Sequence, residues 1–596
     1  MNSSTVFLGR LGDALGGGGG ETVGINQIVW DPATNTLHAA SDELLDQHTR
    51  YLLVVTTGVK GADGQPISRE VFDNFLSGRF RLGNLGVSVY RAVIEVALLR
   101  AHLPRQFVAA ASVFTTQSAT ATLEKIRRHI KRSTPAPATV LGSFPLDSLA
   151  SIQWNRQTGT APAFTPSALP LSALSIFPSI DSLVFGKFSS PDWETPDKFI
   201  PPVGTLTGVP AVQRVNDLYF NLFVPAGTPP PGGWPVAIFG HGFTDSKQGA
   251  PFAVASVFAS HGIATIAINV VGHGGGALGT LTITPMSGNP VVIPDGGRGI
   301  DQDGNGRIDS TEGSSAAPPR GIISSRDGLQ QTVADLMQLT RLIETGGIPG
   351  VSRSRIYYAG QSFGGIYGVM FLALEDSVRA GVPNVPGGAI IEIVRLSPAF
   401  RGLLTLSLAG RTPPLLNVPP PVVPPLLGFN ENIPLWGLPP IVNTVPGAMA
   451  IQDVIDNIEW VSQAGNPVAY APHLRKSPLP GIDPPPVIIQ FAKGDQTVPN
   501  PTASAIFRAG DLTDRSTFFR NDLVRAALGD AVPKNPHTFL TNIGIPQVAA
   551  LAIAAQTQIA VFFESDGTVI VDPDGAGPFF EGPIAGPLPE TLNFLP

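Results

Sequence analysis

From about residue 206 to the end of the chain, short apolar runs alternate with segments of helical spacing. The runs that predict strands are 218–223, 236–239, 264–270, 355–359, 389–394 and 487–491. The segments that predict helices are 250–260, 327–344, 364–376, 500–509, 518–528 and 547–562. Strands that alternate with helices are typical of a mainly parallel sheet with helices on both faces, because each parallel connection must cross over the sheet. We therefore expect a large α/β domain over residues 206–596.

The residues before and within this domain divide into further segments. Residues 1–135 predict a smaller N-terminal α+β domain, with a β-sandwich-like start followed by helices. The Pro/Ser/Ala-rich passage 136–205 predicts a linker and packing segment. Two insertions interrupt the large domain, at 273–323 and 397–480, and the second is rich in Pro and Leu. An apolar, proline-stiffened insertion predicts a lid, and a buried brace is the alternative.

A G-x-S-x-G motif lies between a predicted strand and a predicted helix: Gly360-Gln361-Ser362-Phe363-Gly364. The serine of such a motif occupies a tight strand-to-helix turn that exposes its hydroxyl and needs small flanking residues. The N-terminus of the following helix also favours developing negative charge. The motif in this context predicts the α/β-hydrolase fold with Ser362 as nucleophile. A glycine-rich turn without a catalytic role is the alternative.

A serine nucleophile needs a general base, and in this fold the order along the chain is Ser, then Asp or Glu, then His. His537 satisfies that order, whereas His473 precedes the best acid. Asp495 follows the predicted strand 487–491, at the carboxyl edge where ligand sites form in α/β sheets. It would orient the imidazole of His537 and stabilise its cation. Three later aspartates are poorer candidates because helices or turns contain them: Asp511, Asp514 and Asp522.

An acyl-transfer site also needs two aligned backbone N–H groups that bind the oxyanion. One is expected from Phe363, directly after the serine. The other is expected from Phe243, because Gly240-His241-Gly242-Phe243 follows the predicted strand 236–239. His241 is not assigned to catalysis.

Residues 301–312, Asp-Gln-Asp-Gly-Asn-Gly-Arg-Ile-Asp-Ser-Thr-Glu, match the calcium-loop pattern D-x-[DN]-x-[DN]-G-x₅-E at each fixed position. Calcium prefers oxygen ligands, and the pattern places them around a ring. The expected ligands are the side chains of Asp301, Asp303, Asn305, Asp309 (through water) and Glu312, and the carbonyl of Arg307. Because the flanks are not helical, we expect a structural ion rather than a paired sensor site. An Asp/Gly-rich surface loop is the alternative, and no cofactor is expected for the chemistry.

Several stretches resemble bacterial extracellular lipases of the virulence-factor lipase type: 51–67, 112–118, 240–243, 326–328, 360–364 and 588–594. In these proteins an Ig-like or lipase-type N-terminal domain precedes an α/β-hydrolase domain. The resemblance implies ester hydrolysis outside the cytoplasm, with Ser362, Asp495 and His537 as the triad. The start MNSSTVFLGR lacks a signal-peptide pattern, so the protein is either intracellular or has lost its signal. With the resemblance, we expect a secreted or cell-surface protein.

Composition excludes several other classes of protein. The net charge is −7 and no face is broadly basic, so no nucleic-acid partner is expected. The chain has no cysteine, which excludes disulfides, cysteine-ligated metals and thiol catalysis. No apolar run reaches the roughly 18 residues of a transmembrane segment. A transient contact with a lipid interface remains compatible with these features.

The expected function is hydrolysis of apolar carboxylic esters, with a small-molecule, lipid or polymeric ester as substrate. Two alternatives stay open, since fold alone does not determine function. One is a different acyl-transfer serine hydrolase, such as a polyester depolymerase or a peptidase. The other is a non-catalytic surface binding protein on a hydrolase scaffold. The intact Ser–Asp–His order argues against the second alternative.

Overall fold

The structure, a computed structural model, describes residues 2–14, 18–61, 63–79, 85–418 and 428–595. Contacts divide the chain into two units. The first contains Met1–Ala119 and Thr405–Asp456, and the second contains Thr120–Leu404 and Asn457–Pro596. The predicted lid at 397–480 is therefore shared between the units, and its residues 419–427 lie outside the described residues.

The strands are β1 (Val6–Asp13), β2 (Thr22–Val23), β3 (Ile25–Asp31), β4 (Thr36–Ser41), β5 (Thr49–Thr56), β6 (Val108–Thr115), β7 (Thr139–Pro145), β8 (Leu149–Gly159), β9 (Ala163–Ala168), β10 (Ile180–Asp192), β11 (Arg214–Pro225), β12 (Trp234–Gly240), β13 (Ala264–Ile268), β14 (Gly276–Pro285), β15 (Val291–Pro294), β16 (Val351–Gln361), β17 (Val378–Asn384), β18 (Ile441–Val442), β19 (Ile489–Ala492), β20 (Ser516–Phe519) and β21 (Phe580–Glu581). The helices are α1 (Glu70–Leu76), α2 (Leu85–Arg100), α3 (Ala121–Arg132), α4 (Ala250–Ser260), α5 (Arg326–Glu344), α6 (Phe363–Leu372), α7 (Ile390–Leu396), α8 (Arg401–Ala409), α9 (Ala448–Ser462), α10 (Asn500–Gly510), α11 (Asn521–Leu528) and α12 (Ala549–Glu564). In the part of the chain that is described, none of these helices is both long and apolar enough to cross a bilayer.

The first unit contains two small sheets. Strands β2-β1-β5-β6 form an antiparallel sheet, and apolar residues of α1 and α2 pack with those of β5 and β6 in one core cluster. In the other sheet, β18 pairs in parallel with β3, so Ile441 lies beside Val29. The segment 405–456 thus adds a strand to the N-terminal residues, which sequence periodicity did not reveal.

The unit boundary near residue 119 precedes α3, which was expected in the N-terminal domain. The buried Leu123, Ile126 and Ile130 lie on α3, and this helix packs against α5 of the second unit. The ammonium of Lys131 lies 2.6 Å from the buried carboxylate of Glu375. Apolar burial and a buried charge contact therefore hold α3 in the second unit.

Among the described residues of the second unit, ten strands form one sheet in the order β21-β20-β19-β17-β16-β12-β13-β11-β10-β7. The strands from β13 to β20 in this order are mutually parallel, and antiparallel strands extend both edges. The second unit is therefore an α/β structure with a mixed, mainly parallel central sheet. Strands β8, β9, β14 and β15 form a separate antiparallel sheet.

Helices cover both faces of the central sheet, as neighbouring residues of β16 show. The ring of Tyr357 stacks on Phe563 of α12, with centroids 4.9 Å apart. The next residue, Tyr358, contacts Phe371 of α6 at 5.2 Å. Since successive side chains of a strand point to opposite faces, α12 and α6 lie on opposite sides of the sheet.

Two secondary-structure predictions were wrong. The run 389–394 forms helix α7 instead of a strand, and the strand of this region is β17, which lies earlier. The predicted helix 518–528 is strand β20 followed by the shorter α11. The passage 136–205, which was expected to be a linker and packing segment, contains β7 to β10. At 516–519, pairing of β20 with β19 overrides the helical propensity of the sequence.

Candidate active site

Ser362 lies in the turn between β16 and α6, with φ 59° and ψ −116°. This positive φ is unusual for a residue with a side chain and is maintained by tight packing around it. A Cβ atom at Gly364 would overlap the carbonyl oxygen of Gly240, and one at Gly360 would overlap that of Gly364. The two glycines of the motif are thus required because backbone atoms approach them closely.

The structure brings Ser362, His537 and Asp495 together in one line. His537 Nε2 lies 2.7 Å from Ser362 Oγ, and its Nδ1 lies 2.7 Å from Asp495 Oδ2. Because a carboxylate can only accept, Nδ1 donates to Asp495 and leaves the lone pair of Nε2 for the serine hydroxyl. The other Asp495 oxygen accepts from the amides of Thr497 and Val498, both at 2.8 Å. The acid is buried and its orientation is fixed.

Asn535, which no sequence pattern indicated, connects the loop of Asp495 to the loop of His537. Its Oδ1 accepts from the amides of Gln496 (3.0 Å) and His537 (3.3 Å). Its Nδ2 donates to Thr497 Oγ1 at 2.9 Å. Asn535 is two residues before His537 in sequence, but only the fold shows that it bridges to the Asp495 loop.

The predicted oxyanion-hole residues lie beside the serine. A Cβ atom at Gly242 would lie 3.6 Å from Ser362 Cβ, so the loop after β12 runs directly against the nucleophile. Within the described residues, neither the Phe243 amide nor the Phe363 amide donates to another protein group. The rings of these two residues are in edge contact at 5.5 Å. Two free N–H groups are therefore available next to Ser362.

His241 fixes the peptide that carries the Phe243 amide. Its Nε2 accepts from the Val270 amide at 3.2 Å, so Nδ1 bears the proton and donates to the Gly242 carbonyl at 2.9 Å. The Asp245 amide donates to the same carbonyl at 3.2 Å. Since a trans peptide is planar, holding this carbonyl directs the Phe243 N–H the opposite way. Burial lowers the pKa of His241 to about 4, which keeps this arrangement neutral.

Comparison with known proteins gives only loose likenesses. No family model matches the chain, and no curated protein matches it. An acetyl xylan esterase from Paenibacillus sp. R4 aligns at 14% identity and a TM-score of 0.35, over 66% of this chain and 85% of that one. An acylaminoacyl peptidase from Pyrococcus horikoshii aligns at 12% identity and a TM-score of 0.31, over 61% of this chain and 41% of that one. TM-scores this low do not establish a shared fold.

Aromatic rings surround the residues of the proposed oxyanion hole. Phe243 contacts Phe363, Phe400 and His273 with centroid separations of 5.5, 6.0 and 5.6 Å. His273 also stacks on Phe363 at 5.7 Å. Its Nδ1 lies 2.8 Å from the Val271 carbonyl, and burial lowers its pKa to about 3. The rings that surround the free amides are therefore uncharged at neutral pH.

The predicted calcium loop brings part of its ligand set together. One carboxylate oxygen from each of Asp301, Asp303 and Glu312 lies within 4.8 Å of the others. Asp309 is not in this group, although its amide donates to Glu312 Oε2 at 3.1 Å. Asn305 turns its Nδ2 to Asp303 Oδ2 at 3.0 Å. For the predicted carbonyl ligand, Arg307, the structure shows a backbone bridge to Gly159 of β8.

Proposed function

We propose that this chain is a serine carboxylic ester hydrolase of the α/β-hydrolase fold that acts on apolar acyl esters. The observation that carries the proposal is the hydrogen-bonded line from Asp495 through His537 to Ser362. Two free amides lie at one end of this line, on the strand-to-helix turn and on the loop after β12. Nucleophile, base, orienting acid and oxyanion donors are the complete set of groups for acyl transfer.

The geometry assigns each group a step. Ser362 Oγ attacks the ester carbonyl carbon while His537 Nε2 takes the hydroxyl proton. The amides of Phe243 and Phe363 then stabilise the negative charge that develops on the carbonyl oxygen. His537 returns the proton to the alcohol oxygen as that bond breaks, which leaves an acyl-enzyme. A water molecule activated by His537 releases the acid and restores the serine.

Loss of the nucleophile tests this proposal. Ser362→Ala is expected to reduce kcat/KM on p-nitrophenyl butyrate by roughly 10⁴–10⁶-fold, because members of a triad act as a unit. Ser354→Ala, an exposed serine on the same strand, is the matched control and should retain full activity. Among acyl chains, butyrate to octanoate should exceed acetate. Retention of half the activity in Ser362→Ala would exclude the assignment.

The resemblance to extracellular lipases remains part of the proposal, as do an extracellular location and a lid. Of the insertion 397–480, residues 397–404 and 457–480 belong to the same unit as Ser362, whereas 405–456 group with the N-terminal residues.

We also propose that residues 301–312 bind a structural calcium ion. Its support is the full twelve-residue pattern together with the three converging carboxylates. One of their oxygens, Asp301 Oδ1, is buried and accepts no hydrogen bond from the described residues. Asp301, Asp303 and Glu312 would hold the ion, which would neutralise their mutual repulsion.

The loop 301–312 is also hydrogen-bonded to β8 of the separate antiparallel sheet. A bound ion would reinforce this attachment. The Ile308 amide donates to the Thr158 carbonyl, and the Thr160 amide donates to the Gly306 carbonyl, both at 3.1 Å. Ile308 is buried, so the loop lies against the end of β8. An ion bound there would strengthen the attachment of the loop 301–312 to β8.

A further inference from the structure

Two half-buried phenylalanine rings lie next to the partly exposed nucleophile. Phe243 and Phe400 are both partly exposed, and their rings meet edge to face with centroids 6.0 Å apart. Phe243 in turn packs on the buried Phe363, whose amide follows Ser362. Apolar rings that remain exposed beside reactive groups are typical of ligand-binding surfaces. Phe243, Phe363 and Phe400 together form an aromatic wall.

Phe400 is held in this position by Ser397. The Phe400 amide donates to the Ser397 carbonyl at 3.2 Å, and the Ala399 amide donates to Ser397 Oγ at 3.2 Å. Ser397 Oγ itself donates to the carbonyl of Gln496 at 2.8 Å, and Gln496 directly follows the proposed triad acid. The turn 397–400 is therefore fixed to the acid loop, while the ring at its end contacts the oxyanion loop.

The chemistry determines which part of an ester would meet the wall. The alcohol oxygen must lie within reach of His537 Nε2, because that atom protonates it. Among the described residues, no aromatic ring packs against the imidazole of His537, whereas the wall contains both residues that provide the oxyanion amides. With the carbonyl oxygen bound by these amides and the alcohol directed to His537, the acyl chain remains to contact the wall.

We propose that Phe400 and Phe243 of the aromatic wall bind the acyl chain of the ester and determine acyl-chain selectivity. This inference rests on the proposed esterase function and deepens it. Each CH₂ group that leaves water against the rings is worth about fourfold in kcat/KM. A short turn of the second unit thus sets the acyl-chain selectivity. The Pro- and Leu-rich composition of the insertion does not indicate this role.

Selectivity ratios test the inference. In one arm, kcat/KM is measured for p-nitrophenyl hexanoate and p-nitrophenyl acetate, which differ only in the acyl chain. In the other arm, hexyl butyrate and ethyl butyrate, which differ only in the alcohol, are compared by pH-stat. Each ratio is independent of the fraction of folded enzyme, because both substrates meet the same sample. Phe400→Ala should lower the hexanoate-to-acetate ratio by about 15-fold, equivalent to two CH₂ contacts, and leave the alcohol ratio unchanged.

The matched control is Phe164→Ala, since Phe164 is exposed on β9 in the same unit and should change neither ratio. If Phe400→Ala yields no soluble protein, Phe400→Leu should give a smaller fall in the same acyl ratio. The proposed role of the aromatic wall would be wrong if Phe400→Ala kept a hexanoate-to-acetate ratio within twofold of the wild-type value. It would also be wrong if this variant changed the ratio of the two alcohols instead. An absence of Ser362-dependent hydrolysis of all four esters would overturn the proposed function, and the wall with it.

Discussion

The ammonium group of Lys247 lies 2.6 Å from Oδ1 of Asp295 and 2.7 Å from the carbonyl oxygen of the same residue. Both side chains are buried. Lys247 lies on the loop that contains Phe243, and Asp295 lies in the insertion shortly before Asp301. The pair therefore joins the proposed oxyanion loop to the insertion that contains the proposed calcium loop.

Removing the cation of this pair should be costly. In Lys247→Met the Asp295 carboxylate stays buried without its counter-ion, so we expect the free energy of unfolding to fall by about 3–5 kcal/mol. Chemical denaturation measures this change. Lys187→Met is the matched control, because Lys187 pairs with Asp217 at 2.7 Å with both side chains about a third to a half exposed. That variant should lose less than about 1 kcal/mol; similar losses in both would contradict the role of the buried pair.

Asn535 is expected to act as a positioning residue for His537. In Asn535→Ala the acid loop and the histidine loop lose their shared bridge, so kcat should fall by about 10- to 100-fold while KM changes little. Asn535→Asp keeps an oxygen that accepts from both amides and should recover part of kcat. Steady-state kinetics on p-nitrophenyl butyrate separate the two parameters. A rise in KM at constant kcat would point to a substrate contact instead.

Calcium should stabilise the protein more than it affects the rate. An ion that binds only the folded state adds about 2.7 kcal/mol at a hundredfold excess over Kd, so EDTA should lower the melting temperature. Activity at room temperature should change less, because the proposed serine chemistry needs no metal. The double variant Asp301→Ala, Glu312→Ala should abolish the EDTA effect. Asp181→Ala with Asp530→Ala removes two exposed acids elsewhere and should preserve it.

For the calcium loop, calorimetric melting with and without EDTA and metal analysis of the purified protein are the measurements. A melting curve that neither EDTA nor added calcium moves, together with no bound metal, would rule out the ion.

His273 should make stability depend on pH below neutrality. Burial, aided by the neighbouring His241, lowers its pKa in the folded protein to about 3, well below the ordinary value of about 6.5. As the pH falls below 6.5, the unfolded chain therefore binds a proton that the folded protein does not. The stability that the neutral imidazole contributes above this pH is lost at about 1.4 kcal/mol per pH unit.

Comparing the wild type with His273→Asn isolates this histidine, because other buried groups also titrate on unfolding, His241 in the same sense and Glu194 in the opposite sense. Burial raises the pKa of Glu194 to about 7, which favours the folded state as the pH falls. His273→Asn should make the free energy of unfolding less steeply dependent on pH between 6.5 and 4.5 than in the wild type. Urea denaturation at several pH values gives both slopes, and equal slopes would show that His273 does not titrate on unfolding.

Local sequence determined the features of this protein that depend only on residues close together in the chain. The alternation of apolar runs and helical segments predicted the parallel strands around β12 and β16 and the helices between them. The glycines around Ser362 were readable because their requirement is steric and lies within the turn itself. The spacing of the acids at 301–312 likewise specifies one loop.

Tertiary structure alone decided the features that depend on residues far apart in sequence. Strand β10 contains polar residues and a proline, yet it belongs to the sheet because it pairs along its length with β11. The apolar, β-branched run at 389–394 forms helix α7, while β17 is the strand that pairs with β16. Asn535 and Phe400 acquire their places through hydrogen bonds and ring contacts to distant loops. Such contacts have no local signature, because a polar or aromatic side chain is compatible with many partners until the fold selects one.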